Sequence, residues 1–95
     1  MNSEQIYEAL NNLYNNMLTQ YMNIQMGVNS GSLTKQQAIT MLRNVAKMSK
    51  TGSVVFLKEI KYYPDHHREY AAMYEDLINQ MKDYLEQELS PNRTL

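Results

Sequence analysis

Ser53-Val54-Val55-Phe56-Leu57-Lys58-Glu59-Ile60-Lys61-Tyr62-Tyr63 is the stretch on which the fold class turns. Val54 to Leu57 has the β-branched and aromatic composition of a strand. The chain holds no second strand-like run for it to pair with, and an isolated strand leaves its backbone groups unsatisfied. The segment therefore reads as a short helix capped by Ser53 that buries Phe56, Leu57 and Ile60. The alternative is a strand that pairs across a dimer. Gly52 in front of it reads as a helix stop, and Pro64 ends it by disfavouring helix at Tyr63.

Outward from this segment, both flanks carry helical periodicity. Toward the N-terminus, Ile6, Leu10, Leu13, Met17, Tyr21, Ile24 and Val28 recur at three- and four-residue steps, one face of a helix over about 3–28 with Ser3 as its N-cap. Asn29-Ser30-Gly31-Ser32 is a turn signal. Thr34 and Gln37 have capping-box spacing and open a helix over about 34–50. Its apolar face holds Ala38, Met41, Leu42, Val45 and Met48, widened by Ile39 and Ala46. After Pro64, with Asp65 as cap, a last helix over about 65–89 lines up Tyr70, Met73, Tyr74, Leu77, Ile78, Met81, Tyr84, Leu85 and Leu89. The expectation is an all-α bundle of about four amphipathic helices (3–28, 34–50, 53–63 and 65–89). Residues 1–90 form one domain and 91–95 a flexible tail. The terminal helices, each about 35–40 Å long at 1.5 Å per residue, overhang a shorter middle pair, so a homo-oligomer is expected to cover the overhang.

Bulk composition bounds the function. The 95 residues suit a single domain, and 43% hydrophobic with 20% charged residues is ordinary for a globular chain. With no Cys there are no disulfides or thiolate metal sites, and a net charge of −1 argues against bulk attraction to nucleic acid or an acidic membrane. Met1-Asn2-Ser3-Glu4-Gln5 lacks the basic-then-apolar order of a signal peptide, and no apolar run approaches the ~20 residues of a membrane span. A cytoplasmic location is expected. Asn, Gln, Tyr, Lys and Met are plentiful and Trp is absent, a bias shared with AT-rich bacterial and phage genomes.

Charge layout says more than net charge. The middle of the chain is basic (Lys35, Arg43, Lys47, Lys50, Lys58 and Lys61 against Glu59), and the end is acidic. Arg43, Lys47 and Lys50 share one helical face and can grip a phosphate-bearing ligand, a nucleic-acid backbone or an acidic protein. They can equally form a solvated face or pair with the acidic stripe Glu69, Asp76 and Asp83. Tyr7, Tyr14 and Tyr21, spaced by seven, flank the aliphatic stripe of the first helix. They can stack on a ligand or form the rim of a core or interface.

Asp65-His66-His67-Arg68-Glu69 is the one cluster resembling metal or acid–base chemistry. It lacks the facing carboxylates that a di-metal bundle needs. No nucleophile with a base, Gly-rich phosphate loop or zinc spacing is present, so no catalytic residue, metal or cofactor is expected. The sequence reads as a non-enzymatic regulatory or inhibitory binding protein, of a kind common among phage and mobile-element products. It is expected to act as a homo-oligomer on a protein partner, with nucleic acid disfavoured. The alternative is a sequestering protein for a phosphorylated, nucleotide-like ligand held by the basic stripe and nearby tyrosines.

Overall fold

The computed structural model describes residues 2–89, and among these the protein is all-helical, with three α-helices and no strand. The expected tail over 91–95 lies outside the described residues. Helix α1 (Ser3–Ser30) is followed by α2 (Lys35–Glu59) and α3 (Pro64–Tyr84), and α3 continues into a π-helical turn, Leu85–Leu89.

The two caps that depend on polar side chains are both capping boxes. Asn2, one residue before the expected Ser3, accepts from the Gln5 N–H, while the Gln5 side chain accepts from the Asn2 N–H. Thr34 and Gln37 form the second, as their spacing predicts. Between them, Gly31 takes the left-handed conformation (φ 83°) that closes α1, and its N–H donates to the Val28 carbonyl. Leu33 then folds back over Gly27, where a β-carbon would sit 2.6 Å from Leu33 Cδ1.

The expected four helices are three. Gly52 does not stop α2, and Ser53 is no cap: both lie inside a continuous helix that carries Val54–Leu57 with it. The physical reason is burial. A helix pays roughly 1 kcal/mol for an internal glycine, which tertiary packing readily overrides. At Gly52 the missing side chain admits Leu13 of α1, which would approach within 2.9 Å of any β-carbon there. Ser49 and Ser53 are buried beside it, and their hydroxyls turn back onto the carbonyls of Val45 and Lys50. A longer α2 also removes the overhang from which an oligomer was expected, since its 25 residues nearly match the 28 of α1. At α3, Pro64 occupies the first turn and leaves Tyr63 at the cap position without a side-chain bond. Asp65, expected as the cap, lies within the first turn, where the helix dipole favours acid, and forms an exposed pair with Arg68 at 3.5 Å.

The core follows size complementarity. The buried strip of α2 is built of small and medium side chains, Ala38, Ile39, Leu42, Val45, Ser49 and Ser53. Against it stand the larger residues Met17, Tyr21 and Ile24 of α1, Leu77 and Met81 of α3, and Leu89 of the π-helical turn. A second cluster at the other end joins Ile6, Leu10, Ile60 and Tyr74. Leu13 and Tyr14 pack against both clusters and make the core continuous. Met41 and Met48, expected inside, are 43% and 53% exposed, because the longer α2 centres its buried strip on Leu42, Ser49 and Ser53.

Continuity of α2 is testable at Gly52. Gly52→Pro is expected to destabilise the fold by about 3 kcal/mol or more, since it removes an interior hydrogen bond. Gly52→Ala should stay within about 1 kcal/mol of wild type, its gain in helix propensity offsetting a shift of Leu13. Thermal unfolding followed by circular dichroism measures both; near-equal midpoints for the two variants would mean that a chain break lies at this position.

Candidate functional site

Two groups of residues stand out from the sequence, and the fold treats them differently. Tyr7, Tyr14 and Tyr21 turn toward α3 and meet its aromatic residues one by one. Tyr7 stacks on Tyr70 with ring centroids 5.8 Å apart. Tyr14 meets Tyr74 edge to face at 5.7 Å, and Tyr21 meets Tyr84 in the same manner at 5.8 Å. The pairing runs in the same order on both helices, so α1 and α3 are parallel, with α2 returning between their ends. Offset-stacked and edge-to-face geometries both suit the ring quadrupole, and each such pair adds ~0.5–1.5 kcal/mol beyond the area it buries.

The hydroxyls lock the register. Tyr74, 2% exposed, donates to the Leu10 carbonyl at 2.6 Å. Asn11 Nδ2 donates to the Tyr70 oxygen at 3.1 Å, and the Tyr21 hydroxyl reaches the Gln80 carbonyl at 3.4 Å. At the open end His66 packs edge-on to Tyr7, with Nδ1 2.7 Å from its hydroxyl oxygen, and Tyr63 stacks on the same imidazole. His66 thus belongs to the aromatic column. Among the described residues, no group of three His, Asp or Glu side chains is placed to hold a metal ion.

Arg43, Lys47 and Lys50 lie exposed on α2. At 100° per residue they fall within about 60° of one another, on one side of the buried strip. Met41 and Met48 lie on its other side. The only salt bridge among the described residues is the local Arg68–Asp65 pair, so Arg43, Lys47 and Lys50 have no ion-pair partner among them. The acidic stripe explains why. Asp76 accepts from Gln80, whose carbonyl accepts from Tyr21; burial raises the Tyr21 pKa, with Tyr84 and then Asp83 adding to it. Asp83 therefore borders α1, beside Tyr21, and Glu69 and Asp76 share its helical face at seven-residue steps. No hydrogen bond, ion pair or cation–ring contact among the described residues links the tyrosines of α1 to the basic stripe, so the two groups do not converge on one pocket.

Two concavities accompany these groups. One, of about 330 Å³, is a groove between α1 and α2 lined by Gln20, Asn23, Met41, Asn44 and Met48. The other, of about 580 Å³, lies where Lys61 faces the start of α3, with His67, Arg68 and Glu75 around Ala71 and Ala72. The groove escaped sequence reasoning because methionine at helical spacing was assigned to the core; the signal was the run of neighbouring Asn and Gln residues. Among the described residues, no helix is long and apolar enough to cross a membrane. No protein-family model, curated protein or solved structure matches the chain.

The aromatic column makes the fold sensitive to alkali. Burial, with neighbouring tyrosines adding to it, pushes the Tyr74 hydroxyl from its ordinary 10.0 up to about 12. A raised folded-state pKa means that the fold favours the protonated phenol. This contribution is complete below pH 10 and is lost as pH rises toward about 12. Tyr74→Phe should lower stability at neutral pH by ~1 kcal/mol through loss of the bond to Leu10, and should flatten the decline in this alkaline window. Urea unfolding at stepped pH checks both; an unchanged alkaline decline in the variant would place the sensitive group elsewhere.

Proposed function

We propose that this chain is a non-enzymatic regulatory or inhibitory protein that docks on an acidic macromolecular partner through Arg43, Lys47 and Lys50 of α2. The observation that carries this reading is the exposure of three cations on one helical flank with no ion pair to α3. A solvated helix face tolerates such a stripe, but a stripe with no ion-pair partner among the described residues is available to a partner's carboxylates or phosphates. Its neighbours favour a broad contact over a small-molecule cavity: the stripe lines neither of the two concavities described above.

The nucleotide-like alternative has less support. It requires rings beside the cations, and Tyr7, Tyr14 and Tyr21 pack instead against Tyr70, Tyr74 and Tyr84. A screen of linear and cyclic nucleotides by thermal shift separates the two readings, because a ligand that binds the folded state raises its midpoint.

The direct test is the paired substitution Arg43→Glu and Lys47→Glu. The variant should unfold within a few degrees of wild type, since exposed substitutions change stability by only about ±0.5 kcal/mol. It should lose the acidic partner retained by wild-type protein in affinity purification from the native cell, and salt should release that partner from wild type. Retention by the variant, or a large fall in its thermal midpoint, would assign these cations to another role.

A further inference from the structure

From Ala9 to Thr34 the chain carries no charged residue, although this span includes most of the solvent face of α1. The side chains exposed there are Asn, Thr, Ser and two methionines, Met22 and Met26, with Gln20 and Gln25 half-buried. The adjoining flank of α2 continues the pattern. Met41, Met48 and Val55 fall within about 40° of one another on the helix, and all three are exposed. Gln37, Asn44 and Thr51 border them. Asn16 and Asn23 of α1 with Met41, Asn44 and Met48 of α2 thus present a face that is uncharged around the Met41–Met48 groove and meets a charge only at the end of α2, where Glu59 falls on the line of Met41; the cations of α2 and the acids of α3 lie outside it.

We infer that this face is a two-fold interface at which the protein pairs with a second copy of itself. Depletion of charge and enrichment in Met mark the centre of protein interfaces, whereas an ordinary solvated face is rich in Lys and Glu. The same composition selects the occupant. Across a two-fold axis every group near the axis meets its own copy. A carboxylate or ammonium would meet its like, but an amide carries both donors and an acceptor and can bond to itself. Anionic lipid and nucleic acid need cations, which this face lacks.

The spacing places the axis. Met48 lies near the middle of α2 (Lys35–Glu59), with Met41 and Val55 seven residues to either side. An axis through Met48 runs the two α2 helices antiparallel, sets Met41 against Val55 of the second copy, and brings Glu59 opposite Gln37. The molecule is 46 Å long. The uncharged part of α1, Ala9 to Ser30, is about 33 Å of that length and two helices side by side are about 20 Å wide, so the face offers a footprint of about 660 Å², within the ~600–1,000 Å² per partner of a standard stable interface.

Light scattering and sedimentation of the full chain at micromolar concentration test the inference. Wild type should run at twice 11.2 kDa. Met41→Glu with Met48→Glu should run at the single-chain mass with an unchanged helical spectrum. The Arg43→Glu and Lys47→Glu variant should remain paired, which separates this inference from the partner-binding reading. Because the chain has no cysteine, Met48→Cys supplies an independent check that leaves the packing intact. Mild oxidation should convert it to a disulfide-linked pair, whereas Glu75→Cys on the far side of α3 should stay single. Wild type at the single-chain mass would overturn the inference, even if another protein were found on this face. So would a glutamate variant that still pairs, or a Met48→Cys chain that does not cross-link.

Discussion

The hydroxyl of Tyr74 crosses from α3 to the carbonyl of Leu10 on α1, and around this bond three pairs of tyrosines hold the two helices parallel. The remaining architecture depends on that column. Rings at sevenfold spacing on α1 meet rings on α3 in order, which fixes the register and keeps the two backbones apart. The second helix must then fit a space bounded by large side chains, and its buried strip sets Ile39 and Leu42 among the smaller Ala38, Val45, Ser49 and Ser53, with Gly52 beside it. Size complementarity, more than helix propensity, explains why an Asn-rich α1 and a Gly-interrupted α2 are both helical from end to end.

Elements specified by local chemistry were legible in the sequence. The Thr34–Gln37 capping box, the Gly31 turn and the apolar stripe from Ile6 to Val28 follow from spacing and residue type, whereas the helical nature of Val54–Leu57 ran against its strand-like composition and followed from the lack of a second strand to pair with it. Features set by tertiary contact were not. Gly52 has the local signature of a stop, and only the side chain of Leu13 shows why the helix continues. Met41 and Met48 fit an apolar period as well as Leu42 does, but the packing angle of α2 places them outside. The tyrosine flank was recognisable as a rim, whereas its ring partners Tyr70, Tyr74 and Tyr84, about 60 residues away in the chain, were beyond any local rule. The link between His66 and Tyr7 belongs to the same class.

Drawing the tyrosines of α1 onto α3 also sorts the surface. Asp83 of α3 borders α1, the cations of α2 stand on a different flank, and the groove between α1 and α2 is free of both. Opposite charges that a linear reading pairs lie on different flanks of the bundle. Binding through the cations and self-association through the uncharged face would therefore use separate surfaces, so that a single small domain can do both.

The aromatic column is tested most directly by nuclear Overhauser effects between tyrosine rings in solution, assigned with selectively labelled tyrosine and single Tyr→Phe variants. Cross-peaks linking Tyr14 to Tyr74 and Tyr21 to Tyr84, with Tyr7 contacting Tyr70, are the predicted result. Tyr7, Tyr14 and Tyr21 resonances lacking any contact to α3 would contradict the account, because they would free these rings for a ligand and remove the constraint that sets the bundle's register.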